Sequence, residues 1–508
     1  MSRIKYASKN IKYGYLGNLL SLLLKFISRT IFIYTIGVTY LGVNGLYVNI
    51  LSVLSFAELG IGTAMNYSLY KPVAENDKEK IKALMHLYKY AYRWIALIVT
   101  VVGLALIPFL DTIIKESGII SSNELIIYYL IFLFNTTSTY FVVYKYSLVS
   151  AEQKNYLQTN IQTITMVITT IVQIIILISL KNFLLYLISA ALIELIQKIF
   201  VNRYLNKRYP FLLDDVTRKL TKEEKEPIIK NIKALVLHKI GDISVYQTDN
   251  ILISSFINIT TVGLVSNYTL IISAVTSFLN IIFNSLISGF GNLIATENTD
   301  KQYELFKVYR FVGFWCYGFA SIALITLINP FIELWIGSQM LIGTTVIYLI
   351  ISDYYLKGHR IVVNNFKVAA GIFDEDKYIG LIQAIVNLVI SIILVKKIGL
   401  PGIFIGTVIQ GLISNMSRPF IVYRKIFGRS GIEYYVDSLF YLCVLIVPLL
   451  VLEFMKPIIL MNLGISNFVF MIFLVALIPN VFFVLFLRKR KEFKYLLDLI
   501  KIRVKGRR

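Results

Sequence analysis

Residues 13–36 read YGYLGNLLSLLLKFISRTIFIYTI, a span-length apolar stretch broken by two charges, Lys25 and Arg29. About 20 apolar residues make one helical bilayer crossing. Working outward, thirteen more windows follow: 44–70, 87–107, 123–148, 157–179, 183–204, 234–256, 264–290, 309–329, 340–365, 378–395, 400–423, 435–453 and 464–487. The expected fold class is an all-α polytopic membrane protein with about 14 transmembrane helices. Composition agrees: of 508 residues, 57% are hydrophobic and 16% charged, whereas soluble domains are about a quarter charged. Two Cys, Cys316 and Cys443, lie in apolar runs and read as small hydrophobes; with three His they leave neither a disulfide framework nor a zinc cluster.

The chain also carries a net charge of +22, from 51 Lys+Arg against 29 Asp+Glu. Connections numbered alternately, with the N-terminus inside, place 44 of the 51 basic residues on inside segments. Lys115, Lys181, Lys396, Lys397 and Lys456 fall outside, and Lys25 and Arg29 lie deep in the first span. The positive-inside rule then puts both termini in the cytoplasm. Basic charge spread over many short loops reads as topology, not as a nucleic-acid surface. The first apolar run is span-length and lacks a small-residue cleavage site, so no cleavable signal peptide is expected. The tail 488–508 holds ten Lys+Arg, with Phe493, Leu496, Leu497, Ile500 and Val504 on one helical face. That pattern suits a short helix on the inner membrane surface.

A shift of 218 residues lays the first six spans over spans seven to twelve. Short words recur near that register: G-L-Y-V-N at 45–49 with G-L-V-S-N at 263–267, and P-F-L-D at 108–111 with P-F-I-E at 330–333. Six crossings is an even number, so the repeat is parallel, with its pseudo-two-fold axis along the membrane normal. The expected organisation is an N-lobe (1–204), a cytoplasmic linker (205–233), a C-lobe (234–423), two further spans (424–487) and the basic tail. Two facing six-helix lobes suit alternating access around a central site.

Ionisable groups inside a membrane mark cavities or partners. Lys25 and Arg29, four residues apart, share a stripe with Asn18, Ser21 and Ser28. They form either a cationic wall for an anionic substrate, Arg being suited to phosphate oxygens, or ion pairs with acids on neighbouring helices. Glu58 is a candidate for a coupling ion or for neutralising a nearby cation, and so is Asp249, below His238, Asp242 and Tyr246 on span 7. Asp353 is the third coupling candidate, although Lys357 stands at i+4 to pair with it. Arg360 is placed at the inner mouth to meet phosphate, and Glu194 with Lys198 reads as another i,i+4 pair. On span 8, Ser273, Ser277, Asn280, Asn284 and Ser288 form a stripe that reads as helix glue or as a sugar-lined wall.

No P-loop and no Ser/His/Asp or metal-ligand cluster is present, and no outside connection exceeds about 15 residues. Several words in order then carry a resemblance: L-G-V-N-G-L-Y at 41–47, A-E-L-G-I-G-T-A at 57–64, L-Y-K-P at 69–72, T-D-N-I-L-I-S at 248–254 and P-F-I-E-L-W-I-G at 330–337. Over nearly its whole length the chain resembles the polysaccharide transporters of the multidrug/oligosaccharidyl-lipid/polysaccharide exporter superfamily. Within them it looks like the Wzx-type flippases of O-antigen and capsule repeat units.

The resemblance implies a V-shaped, two-lobe helical transporter in a bacterial plasma membrane, not an enzyme. Its substrate would be an oligosaccharide on undecaprenyl diphosphate, moved from inner to outer leaflet. Relatives place cations in the central cavity, a pattern that Lys25 and Arg29 match. Coupling to H+ or Na+ is implied and no cofactor is. Other polysaccharide-assembly proteins are implied as partners, and a monomer is expected. Two alternatives stand beside this reading. A multidrug exporter of the same fold expels organic cations and calls for an acidic cavity. A membrane polysaccharide polymerase or ligase calls for a larger outer acceptor region.

Overall fold

The connections between the apolar windows carry the chemistry that starts helices. Ser121 and Thr221 each accept from the backbone N–H of the glutamate three residues on, and that carboxylate accepts from the cap's own N–H. Asp77, Asn182 and Asn298 cap three further starts. Each cap contributes about 1 kcal/mol.

The computed structural model describes residues 3–505 except 59–60, 116–117, 119, 216–217, 219 and 373, and the described residues contain helices and no strand. The chain forms two units, Met1–Gly263 and Leu264–Arg508. The first holds α1 (Arg3–Ile36), α2 (Val38–Leu54), α3 (Ile61–Glu75), α4 (Lys78–Ala105), α5 (Ser122–Thr139), α6 (Asn155–Leu180), α7 (Phe183–Arg208) and α8 (Lys222–Phe256). Helix α9 (Ile259–Asn284) begins in the first unit and runs into the second. The second unit continues with α10 (Ile287–Thr296), α11 (Thr299–Ile336), α12 (Thr344–His359), α13 (Ile361–Ala369), α14 (Ile379–Ile398), α15 (Leu400–Val422), α16 (Ile432–Ile459), α17 (Ile465–Leu487) and α18 (Lys491–Lys505).

Among the described residues, eleven helices are long and apolar enough to cross a membrane, so this is a multi-pass membrane protein. The other three sequence windows, 44–70, 234–256 and 340–365, also fall on helices. They are the windows that hold Glu58, Asp249 and Asp353. Window 44–70 is not one helix: α2 ends at Leu54, Ser55–Glu58 forms a 3-10 turn, and α3 resumes at Ile61. Window 340–365 is interrupted at Arg360, between α12 and α13. Broken crossings place backbone groups and charges where a continuous helix would hide them.

In the first unit α1 lies along α6, α6 and α5 pack on α7, and α8 packs on α2 and α3. The starts of α2 and α9 cross at backbone distance. A Cβ on Gly42 would sit 2.0 Å from the Ile259 carbonyl oxygen, and one on Gly263 would sit 2.2 Å from that of Val38. The Thr39 and Thr260 hydroxyls hydrogen-bond beside them at 3.0 Å. The crossing is symmetric at an offset of 221 residues, where V-T-Y-L-G-V (38–43) faces I-T-T-V-G-L (259–264). The loop after α4 adds Lys115, whose carbonyl accepts from Ile259 N–H at 3.3 Å.

In the second unit α14 packs on α15, α12 on α15, and α16 and α17 on α11. The two spans outside the repeat are joined to it by an apolar cluster that includes Phe311, Phe314, Tyr441, Val475 and Phe483. They are joined also by a buried cation. Arg310 of α11 donates to the Tyr434 carbonyl and the Ser438 hydroxyl, both at 2.7 Å, and pairs with Asp437 at 3.4 Å. Its guanidinium stacks on Tyr434, and Arg490 meets Asp437 from the other side at 2.9 Å. The tail forms α18, but its apolar face is partly taken up by protein: Phe493 stacks on Trp315 and, with Leu496, joins the α11–α16 cluster.

Ahead of α8, Arg218 and Lys80 both reach Glu224, at 2.7 and 3.0 Å, and Arg218 also meets Asp77 at 3.3 Å. The Lys80 ammonium, followed by the Thr221 N–H, holds the Glu224 carboxyl below the usual carboxylate range. This group ties the segment ahead of α8 to the α3–α4 turn.

Candidate functional site

The polar face of α1 is built by two kinds of neighbour. Gly17 brings α1 against α6, where a Cβ would sit 2.7 Å from the Thr163 hydroxyl. One turn from the far end, Phe32 meets Tyr186 and Phe183 of α7 edge-on. Between these contacts lie the two cations. Lys25 is exposed, whereas Arg29 is half-buried and stands with Ser28 beside Tyr186. Arg29 is thus held by an aromatic, hydroxyl-bearing wall, and Lys25 projects from the unit's surface.

Beside this wall lies a cavity of about 390 Å³ lined by the end of α5 and by α6 and α7. Its lining is rich in uncharged hydrogen-bonding groups: Gln158, Gln162, Thr165, Thr169 and Gln173 from α6, and Gln197 from α7. Gln173 links the cavity to the Arg29 wall by donating to the Tyr186 carbonyl at 3.4 Å. The Thr169 hydroxyl is buried and has no hydrogen-bond partner among the described residues. Lys198 edges the cavity with its charge already placed, donating to the Asn135 carbonyl and side chain and to Ser138. Glu194 pairs with it at 3.8 Å, the i,i+4 contact expected from sequence.

Glu58 occupies the 3-10 turn that breaks the second crossing, within hydrogen-bonding reach of the Tyr92 and Tyr140 hydroxyls. Tyr140 also donates to Ser55 at 2.8 Å. Among the described residues Glu58 forms no ion pair. Asp249 is half-buried on α8 in the same unit. The side chains of His238, Asp242 and Tyr246 above it lie outside the described residues.

Asp353 and Arg360 belong to the second unit. Asp353 pairs with Lys357 at 2.6 Å, again the local pair expected from spacing. Arg360 is buried, 5% exposed, and donates to the Gly411 carbonyl at 3.0 Å, so its guanidinium braces α15. On the span 8 stripe, Asn280 accepts from the Tyr317 hydroxyl at 3.1 Å, a helix-to-helix contact of the gluing kind.

Three features go beyond the sequence reading above, two of them without a local signal. Arg310 sits at the edge of its apolar window, and its partners are 124–128 residues away. The cavity on α6 requires knowing which helix lacks polar partners. A basic cavity at the start of α4 rests on a spacing visible in the sequence, Lys82, His86, Lys89 and Arg93, which places all four on one helix face.

No protein-family model and no curated protein matches the chain. Solved structures do. The chain is similar to the lipid II flippase MurJ in an inward closed conformation, with a TM-score of 0.63 at 13% identity, covering 96% of this chain and 99% of that one. It is also similar to an inward-facing multidrug resistance MATE family transporter of the MOP superfamily, with a TM-score of 0.59 at 15% identity over 79% and 94% of the two chains. A mutant of the Vibrio cholerae MATE transporter VcmN follows, with a TM-score of 0.57 at 16% identity over 83% and 97%. At these identities what is shared is the fold: this chain is built as the MATE transporters and MurJ are built.

Proposed function

We propose that this protein is a flippase of the Wzx type. It carries an undecaprenyl-diphosphate-linked oligosaccharide, such as an O-antigen or capsule repeat unit, from the inner to the outer leaflet of a bacterial plasma membrane by alternating access, with both termini cytoplasmic. The observation that carries this reading is the pair Lys25 and Arg29 on a membrane-spanning helix, one exposed and one set beside Tyr186. A cation at mid-membrane costs roughly 2.5–3.5 kcal/mol on insertion scales, a cost that an anionic substrate offsets. The diphosphate meets these two cations, and the amide- and hydroxyl-lined cavity beside them suits sugar hydroxyls.

Among the coupling candidates, Glu58 fits an ion gradient better than Asp353. Asp353 would first have to leave Lys357, whereas Glu58 faces tyrosine hydroxyls at a helix break. The likeness to a lipid II flippase supports a lipid-linked substrate; that to multidrug transporters favours the second reading, a drug exporter of the same fold. A deletion strain carrying Lys25→Ala/Arg29→Ala at matched expression separates them. We expect surface polysaccharide to fall at least tenfold and a lipid-linked repeat unit to accumulate on the inner leaflet. Normal polysaccharide from that variant sinks the phosphate role, and increased drug sensitivity on deletion, with polysaccharide intact, selects the exporter.

A further inference from the structure

We propose that the first unit holds a second anion site, separate from Lys25 and Arg29, that binds the phosphate headgroup of an anionic membrane lipid. The site is a cavity of about 810 Å³ bounded by the first half of α4, the turn after α5, the last part of α7 and residues 212–215. Helix α4 supplies Lys82, His86, Lys89 and Arg93 at successive spacings of four, three and four, one continuous stripe.

The cations of this cavity differ in how far they are neutralised. Lys82 is already engaged, by Glu79 at 3.0 Å and the Asp215 carbonyl at 3.1 Å. Lys89 and Arg93 are exposed and, among the described residues, form no ion pair. Lys145 is 8% exposed and donates to the side-chain carbonyls of Asn202 and Asn206, one turn apart on α7. Those partners are neutral, so the ammonium is oriented without being drawn into an ion pair. With both amide oxygens turned to Lys145, the two amide N–H₂ groups are left to donate. Asp214 and Asp215 also line the cavity and offset part of its positive charge, against the four basic side chains Lys82, Lys89, Arg93 and Lys145. Lys89, Arg93 and Lys145, in no ion pair among the described residues, together with the amide donors suit phosphate oxygens.

The surroundings of the cavity say which phosphate. Phe141 and Leu213 line it and are 57% and 65% exposed, giving a basic interior apolar lips. Free phosphate has no use for such lips; a lipid has. By crossing number, α4 starts on the same side as the chain's N-terminus, where the basic loops lie, so the headgroup would come from the inner leaflet. Basic pockets between helices on that face are suited to acidic headgroups.

The test uses the full-length protein in neutral detergent micelles, with thermal unfolding as the readout. Phosphatidylglycerol is titrated against phosphatidylcholine in one arm, and inorganic pyrophosphate is added in the other. We expect a saturable rise in Tm with phosphatidylglycerol only. Lys89→Gln/Arg93→Gln, which alters two exposed side chains and leaves buried Lys145 in place, should weaken the half-saturating concentration at least tenfold. Lys25→Gln/Arg29→Gln should leave it within twofold. An unchanged response in Lys89→Gln/Arg93→Gln overturns the site. A response to pyrophosphate alone, or to neither probe, overturns the lipid assignment.

Discussion

Helix pairs α6/α7 and α14/α15 occupy the same place in the two halves, 218 residues apart, yet one is open and the other is zipped shut. In α14/α15, Gln383 donates to the Gln410 carbonyl and side chain at 2.8 Å, and Ser414 donates back to Gln383 at 2.7 Å. Asn387 meets Thr407 at 3.2 Å and Ser391 meets the Ile403 carbonyl at 3.0 Å. Two glycines let the backbones close: a Cβ on Gly406 would lie 2.1 Å from the Ser391 hydroxyl, and one on Gly402 would lie 2.4 Å from the Leu394 carbonyl carbon. The same register in α7 holds Ile188 and Leu184, and Gln410 and Ser414 become Leu192 and Ile196, both exposed. At those positions α7 offers no partner for a zipper, and Thr165, Thr169 and Gln173 of α6 line a cavity instead. Polar groups inside a membrane protein are used either as glue or as a site. Here one half uses them as glue and the other leaves them lining a cavity.

The largest effect should come from forcing the closed pair open. Gly406→Leu puts a side chain where Ser391 already stands, and the crossing has no slack. Overpacking of this kind costs about 3 kcal/mol, and each polar group of the zipper left unpaired adds about 1–3 kcal/mol. We expect little monodisperse protein in size-exclusion profiles. A Gly406→Leu variant with wild-type Tm would mean that the zipper is not what holds α14 to α15.

How much of this was legible from residues alone follows the distance between partners along the chain. Among the described residues, all fourteen apolar windows fall on helical segments because hydropathy is a local property. Asp353–Lys357 and Glu194–Lys198 are readable because four residues make one helical turn. The break at Ser55–Glu58 was not, since the apolar window runs through it; the signal lies in the poor helix formers Ser52, Ser55, Gly60 and Gly62. The symmetric crossing at Gly42 and Gly263 is written in V-T-Y-L-G-V and I-T-T-V-G-L, but at an offset three residues away from the one that aligns the spans. For the candidate site, the placing of Lys25 and Arg29 on one long helix was legible. Tyr186, Gln173 and the cavity were not, because they depend on α7 offering apolar residues where α15 offers polar ones.

A second, intermediate effect tests the open pair. Thr169→Leu/Gln162→Leu replaces two cavity-lining polar groups with apolar ones of similar size, and the Thr169 hydroxyl has no partner to lose. Tm should stay within about two degrees, because no existing hydrogen bond is broken. Export in a deletion strain should fall about tenfold, as a lost hydrogen bond or two to sugar would predict. Unaltered export would remove the cavity from the transport path and leave α6 and α7 as scaffold only.

The smallest effect concerns the turns that join each pair, where the two halves solve one problem differently. Lys181 ends α6 at φ 47° and ψ 39°, the left-handed region, and Gly399 ends α14 at φ 68° and ψ −144°. The positions are 218 residues apart, as are Gln153 and Gly371, which also share positive φ. A left-handed conformation costs a residue with a Cβ about 1–2 kcal/mol, and the region of Gly399 is open to little except glycine. Lys181→Gly should therefore raise stability by about 1 kcal/mol and Gly399→Ala should lower it by roughly 1–3 kcal/mol. If both changes were neutral in thermal unfolding, the turns would carry no strain, and their shared positive φ would follow from the repeat alone. Opposite signs would mean that the first half tolerates at Lys181 a strain the second half has removed, in the pair that is also left open.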